Sequence, residues 1–348
     1  MATHLRIKFM ARTRADQSPD LWLSLFSQQT PIYNNCEFIF DPDARHYDWL
    51  VVYEDLTFLS AQNRSNRIEP LNCARENTLF ITTEPASIKV YGPQYLAQFG
   101  HVLSTQPAHI LGHPNQIHKT PPLRWYYGRP MGNSAHATYK NIDTLRAEKP
   151  AHKPRIISTV CSDKRMSYAF EQRYDFSQHM QAELGDDFHW FGRGIRPIQD
   201  KSEAMDDFAY HVAVENHVAP HHWTEKITDC FLAFCLPFYH GDPNIFDHFP
   251  EDSLIPIDIN NPKHSAEIIR QHIKDKTYEK ALPAILSARE KTLTDYNLMY
   301  FITHIVTGRH QNGLEPNHNA RILGRHIFRR HYPLRAMRDL SHRLRCNM

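Results

Sequence analysis

Short unbroken apolar runs recur along the chain, separated by longer stretches in which apolar residues return every three or four positions. The runs are DWLVVYEDL (48–56), TLFITTEP (78–85), GHVLSTQ (100–106), PRIISTVCSD (154–163), YHVAVEN (210–216), LPFYHG (236–241) and LIPID (254–258). Runs this short and this rich in Val, Ile and Phe predict strands buried on both faces, and the helical patterns between them predict α/β layers. From about Asn261 the pattern is helical throughout, as in AEIIRQHI and YEKALPAILSAREKTL. The polar stretch RAEKPAHKPR (146–155) has the Pro and Lys content of a linker and separates an earlier strand group from a later one. The expected organisation is an α/β domain over 1–150, a second over 151–310, and a C-terminal tail over 311–348.

One helix contains an apparent misplacement. Ile227, Cys230, Phe231 and Phe234 fall at i, i+3, i+4 and i+7, so a helix starts at Glu225 with Thr224 as its N-cap. Lys226 then stands in the first turn, where unpaired N–H groups and the helix dipole favour anions. A lysine there is explained if a phosphate shares the terminus. Glu225 suits the first turn and can also accept hydrogen bonds from the vicinal hydroxyls of a ribose. Arg173, at the start of another amphipathic stretch, offers a bidentate fork for phosphate oxygens. Ligands of open α/β sheets bind beyond the carboxyl ends of strands, which directs attention to Glu54, Asp55, Glu84, Ser162, Asp163, Glu215, Asn216 and residues 240–242.

Composition narrows the class further. A chain of 348 residues exceeds one compact core and suits two domains. No run approaches the roughly 18 apolar residues of a membrane span, and residues 1–17 lack the apolar segment of a secretory signal, so a cytoplasmic protein is expected. Six scattered cysteines without a CxxC pair read as reduced, buried small hydrophobes. Among 24 histidines, His221 and His222 with Glu225 are conceivable metal ligands, but the HExxH and Cys/His zinc spacings are absent, and no metal is expected.

The segment YHVAVEN, then HHWTEKITDCFLAFCLPFYHGDPN, then FPEDSLIPID resembles the donor-binding signature of the family 10 glycosyltransferases, the α1,3/1,4-fucosyltransferases. The resemblance is ordered over about fifty residues and extends upstream through FGRGIRP (191–197) to Arg173, which makes it far more specific than a short motif. The chain departs from the family pattern at Leu254, commonly Phe, and in the spacer His221-His222-Trp223. The resemblance implies a GT-B architecture, two Rossmann-like domains facing a cleft with a helical C-terminal region. It further implies inverting transfer of L-fucose from GDP-fucose to a glycan, with no metal or other cofactor required. Arg173 and Lys226 would contact the diphosphate, Glu225 the ribose or sugar hydroxyls, and Asn216 the donor.

Inverting transfer needs a carboxylate to remove the acceptor's proton. Glu84, at the end of TLFITTEP, resembles the family's base position in the first domain, and Glu54 in LVVYEDL is its rival. A related transferase using another GDP-sugar is the alternative within the enzyme class. RWYYGRP (124–130) could stack on a sugar ring or a base, or pack as a loop over the core. Residues 321–345 hold eight arginines and one aspartate, and Ile327, Phe328, Leu334, Met337, Leu340 and Leu344 recur among them at spacings largely of three and four. Such a segment suits an anionic membrane surface, so peripheral contact through 323–348 at the inner face of the membrane is expected, and the resemblance implies an oligosaccharide or lipopolysaccharide-type glycan as acceptor. The alternatives are a C-terminal helix packed on the second domain, or a basic RNA-binding module; no nucleic-acid partner is expected.

Overall fold

The computed structural model describes residues 4–12, 19–58, 65–120, 123–130, 139–317 and 319–346. The chain forms two compact units, one built from Met1–Pro121 with Leu298–Met348 and the other from Pro122–Asn297. The fold class is α/β, with a mainly parallel sheet and flanking helices in each of two Rossmann-like units and a helical C-terminal region.

The first unit holds strands β1 (Leu5–Ala11), β2 (Ile32–Tyr33), β3 (Cys36–Ile39), β4 (Trp49–Tyr53), β5 (Ile68–Pro70), β6 (Thr78–Ile81), β7 (His101–Ser104) and β8 (Gln116–His118). Seven of these form one sheet in the order β2-β3-β1-β4-β6-β7-β8, parallel except at the β2 edge. Strand β4 is buried along its whole length, as an unbroken apolar run requires. The central strand β1 is not one of the sequence runs, because Arg6 and Lys8 interrupt it. Lys8 is buried all the same: its Nζ lies 2.6 Å from Glu69 Oε1 and donates to the Ala44 carbonyl at 3.0 Å. Arg67 Nε completes the Glu69 carboxylate at 2.8 Å. The chain passes from β1 to β3 on one side and then returns past β1 to β4 on the other, so the switch point of this sheet lies between the carboxyl ends of β1 and β4.

The second unit has a wholly parallel sheet of β9 (Arg155–Val160), β10 (Phe188–Phe191), β11 (Phe208–Val214), β12 (Leu236–His240) and β13 (Ile255–Pro256) in the order β10-β9-β11-β12-β13. Its helices include α1 (Tyr168–Leu184), α2 (Glu225–Leu232), α3 (Pro262–Lys274) and α4 (Thr277–Leu293). Phe176 and Met180 of α1, Ile269 of α3 and Ile285 of α4 pack with Ile157, Val212 and Phe238 of the sheet. The switch point lies between β9 and β11. RAEKPAHKPR is not the boundary that its composition suggests. Lys153 Nζ donates to the carbonyls of Met205, Asp206 and Ala233 at 2.7–3.1 Å, which fastens the stretch inside this unit. The division therefore falls at 121/122 and 297/298, whereas composition suggested 150 and 310.

The C-terminal segment belongs to the first unit, through α5 (Leu298–Arg309), β14 (Arg321–Leu323), α6 (Arg325–His331) and α7 (Pro333–Cys346). It is neither a free tail nor a helix packed on the second domain. Strand β14 pairs antiparallel with β5, and Leu323 and Phe328 enter the core around Phe80, Tyr95 and Val102. Helix α7 docks by its polar face: the Asp339 carboxylate accepts from the backbone N–H of Gln94 at 2.8 Å and of Tyr95 at 3.1 Å, in the first turn of the short helix Pro93–Leu96. Leu334, Met337, Leu340 and Leu344 of this helix are 57–74% exposed. No described helix is long and apolar enough to cross a membrane.

A core histidine makes the second unit sensitive to acid. His211, on β11, is fully enclosed with its Nδ1 2.8 Å from Ser158 Oγ. Burial, aided by Lys201, pushes it down to about 3. An unfolded chain with an ordinary histidine binds the extra proton between pH 6.5 and 3, so stability falls as pH drops through that window. The slope is about 1.4 kcal/mol per pH unit. Urea unfolding at pH 5 should show about 2 kcal/mol less stability from this residue than at pH 7. His211→Gln should flatten that part of the dependence, and an unchanged slope in the variant would show that the ring is not held neutral.

Candidate functional site

At the β9/β11 switch point the strand ends collect charged side chains. Thr224 caps α2, its Oγ1 accepting from the Lys226 N–H at 3.4 Å, and residues 227–232 are all buried, as the apolar spacing predicts. The cap is itself held by Glu215, the first residue after β11. One Glu215 oxygen accepts from the Thr224 backbone N–H at 2.8 Å, both oxygens lie 2.8 Å from the Thr224 hydroxyl, and Oε2 takes the Lys226 ammonium at 2.9 Å. The Glu215 side chain is 1% exposed and that of Lys226 20%. The lysine in the first turn is thus accounted for by a buried carboxylate and does not by itself require an anion at the terminus. Gly241 follows β12 at a point where a Cβ would run into Tyr239 and Glu215, so only glycine lets this loop approach the pair.

Arg173 lies in the second turn of α1 and reaches over the same switch point. Its Nη1 donates to Asn216 Oδ1 at 2.5 Å and its Nη2 to the Val160 carbonyl at 3.3 Å, while its Nε is buried with no hydrogen-bond partner. Four predicted residues, Arg173, Asn216, Glu225 and Lys226, therefore lie around the carboxyl ends of β9 and β11.

Sequence reasoning did not identify Lys201 and Asp229. Lys201 Nζ lies 2.6 Å from Asp229 Oδ2 and 3.8 Å from Glu225 Oε1. The other Asp229 oxygen accepts from the backbone N–H groups of Tyr126 and Tyr127 at 2.9 and 3.1 Å. Those bonds settle RWYYGRP as a loop packed over α2. Burial pulls Lys201 down, but Asp229 and Glu225 outweigh it and hold the ammonium above its ordinary value. Burial likewise pushes Glu225 up, and Lys226 with Lys201 outweighs it, so Glu225 stays ionised. The only local signal for Asp229 is its position as an acid on the apolar face of α2.

In the first unit, Arg12, Glu54, Asp55, Glu84, Lys89 and Arg325 line a cavity of about 480 Å³ beyond the ends of β1, β4 and β6. Both candidate bases border it. Glu54 sits at φ 69°, a left-handed conformation that non-glycine residues rarely adopt and that recurs at functional positions. Its Oε1 is 3.1 Å from Lys89 Nζ and 3.2 Å from Arg12 Nη1. Burial pushes Glu54 up, but these cations outweigh it and keep the carboxylate below its ordinary range, which makes it a poor proton acceptor. Burial and Arg325 pull Lys89 down to about 8. The Glu84 carbonyl accepts from Gln106 Nε2 at 2.8 Å. Arg325 brings the C-terminal segment to this cavity, with its Nε 3.0 Å from Asp55 Oδ2.

Neither a protein-family model nor a curated protein matches the sequence. Among solved structures, an α1,3-fucosyltransferase with GDP-fucose is similar at 14% identity and TM-score 0.49, over 90% of this chain and 93% of that one. A DNA-modifying β-glucosyltransferase is similar at 10% identity and TM-score 0.48, over 87% and 100%. A T4 phage glucosyltransferase with UDP-glucose is similar at 9% identity and TM-score 0.45, over 87% and 99%.

Two buried ion pairs that look alike should respond differently when a lysine is lost. Lys201→Met strands Asp229, which is fully buried, so the second unit should lose about 3 kcal/mol. Lys226→Met leaves Glu215 its two bonds from Thr224 and should cost roughly 1–2 kcal/mol. Urea denaturation of both variants checks the order, and equal losses would mean that Asp229 is not left as a stranded charge.

Proposed function

We propose that the protein is an inverting glycosyltransferase of the family 10 type, moving L-fucose from GDP-fucose to a hydroxyl of a glycan. One observation supports it above the rest: the residues named by the signature, Arg173, Asn216, Glu225 and Lys226, gather at the switch point of the second unit. In this reading the Arg173 guanidinium and the Lys226 ammonium neutralise the diphosphate, so no divalent cation takes part in the transfer. Glu225 accepts from the ribose or sugar hydroxyls, and Asn216 orients both Arg173 and the donor. Glu84 takes the acceptor's proton as its oxygen attacks the anomeric carbon opposite the departing GDP, which inverts the configuration. Glu54, held ionised by Lys89 and Arg12, orders the cavity wall beside it. The second reading keeps the nucleotide and replaces fucose with another GDP-sugar.

Calorimetry in the presence of chelator should show one GDP bound per chain. Absence of GDP binding with and without Mg²⁺ would overturn the reading. Arg173→Ala should lower transfer about a hundredfold or more, equivalent to about 3 kcal/mol of leaving-group stabilisation, and Arg173→Lys should restore little. Glu84→Gln should abolish transfer with GDP affinity unchanged, while Glu54→Gln stays active; the reverse result moves the base. Rates across a panel of GDP-sugars decide between fucose and its alternatives.

We also propose that the acceptor is carried at an anionic membrane surface, with α7 as the contact. Asp339 ties α7 to the first unit, Leu334, Met337, Leu340 and Leu344 stay exposed, and Arg335, Arg338, Arg343 and Arg345 lie among them in the sequence. Each arginine near such a surface adds about 1 kcal/mol. Replacing Leu334 and Leu344 with Gln leaves the core residues Leu323 and Phe328 in place. The variant should transfer normally to a small acceptor and cease to sediment with vesicles of anionic lipid at low salt. A wild-type chain that ignores such vesicles overturns the proposal.

A further inference from the structure

Three side chains outside the switch point converge in the second unit: His221 from the loop before α2, and Asp242 and His248 from the loop after β12. Their ligand atoms all lie within 4.8 Å of one another. His221 Nδ1 is 3.3 Å from His248 Nε2, which is 3.8 Å from Asp242 Oδ2. A tetrahedral ion with bonds of about 2.0–2.2 Å sets its ligand atoms about 3.3–3.6 Å apart, so the separation between the histidines already fits and those to Asp242 close with a small side-chain rotation.

The surroundings aim these atoms at a common point. Asp242 Oδ1 accepts two backbone N–H groups, from His221 at 2.7 Å and from Asn244 at 2.8 Å, which fixes the plane of the carboxylate. The other oxygen, Oδ2, is turned towards the histidines and is buried with no hydrogen-bond partner, in a residue only 3% exposed. An unpaired carboxylate oxygen in such a place costs free energy unless something positive meets it. On the far side of the His248 ring, Nδ1 is 2.9 Å from the Tyr296 hydroxyl, the outer contact that commits a histidine's remaining nitrogen to a metal. His221 is held at φ 57°, so the backbone accepts a left-handed residue here in order to present this side chain.

We propose that His221, Asp242 and His248 form a structural binding site for a first-row divalent transition ion of the zinc type. Two imidazoles and one carboxylate suit such an ion better than Mg²⁺ or Ca²⁺, which take oxygen ligands. The fourth position falls to water or to Asp247, whose Oδ2 is 3.9 Å from His221 Nδ1. The ion ties the loop leading into Thr224 to the loop leaving Gly241, and so braces both sides of the Glu215 carboxylate from outside. It takes no part in handling a diphosphate, and the inference stands whether or not the sugar-donor reading does.

The test uses the full chain, stripped with chelator and titrated with Co(II) and then Zn(II). One Co(II) per chain should bind with visible d–d bands of four-coordinate intensity, Zn(II) should displace it one for one, and Zn(II) should raise the melting temperature. His221→Asn suits the left-handed backbone and alters a side chain 43% exposed, so it should fold yet lose the bands and the Zn(II)-dependent shift. Asp242→Asn should melt higher than the wild type when both are stripped, because the unpaired oxygen is gone, and should gain nothing from Zn(II). His264→Gln, on the exposed face of α3, should behave as the wild type. Bands that persist in His221→Asn and Asp242→Asn would place the ion on other histidines, and a wild-type chain without stoichiometric binding would equally overturn the site.

Discussion

The buried Glu215 carboxylate holds the second unit's functional end together. It terminates β11, receives the cap residue of α2 through two bonds, and takes the ammonium of Lys226. A lone carboxylate at 1% exposure would be strongly unfavourable, so the strand end is stable only with helix α2 seated against it. The coupling runs both ways, because Thr224 and Lys226 are fixed by the acid they satisfy. Arg173 and Asn216 are fixed next to it, since Asn216 is the following residue in the chain. The geometry at this switch point therefore follows from one electrostatic requirement imposed on a parallel sheet.

A second requirement sits one turn along the same helix. Asp229 replaces an apolar residue on the buried face of α2, and Lys201 with the backbone of Tyr126 and Tyr127 makes that tolerable. Helix α2 is thus held by buried acids at two levels, one at its cap and one in its middle, each paired with a lysine. Glu225 lies between the lysines and is kept ionised by both.

Strands of the sheet interiors were legible in the sequence because they are mostly runs of apolar residues, and each of the seven runs contains one. Strand β1 was hidden because Lys8 finds Glu69 at a separation of 61 residues, a partner that no local pattern reveals. The same limit explains Lys226, whose partner lies eleven residues upstream on another element. The start of α2 and its cap were readable, since both are set by neighbours in the chain. The domain boundary was misread for a related reason: a stretch rich in Pro and Lys resembles a linker until Lys153 is seen to satisfy three carbonyls. His221 was considered with His222 and Glu225, its neighbours in sequence, whereas the fold sets it beside Asp242 and His248.

The return of the C-terminal segment to the first unit has a consequence for biosynthesis. The second unit is one continuous stretch, complete as soon as Asn297 has emerged from the ribosome. Strands β1 to β8 of the first unit are made before it but lack Leu323, Phe328 and the strand β14 that pairs with β5 until those residues follow. Its nascent sheet must wait, with apolar surface uncovered, while nearly two hundred residues are synthesised, about 10–40 s at common elongation rates. The order of folding is then the reverse of the order of synthesis. Chaperone demand should concentrate on the amino-terminal half, which is first to appear and last to close.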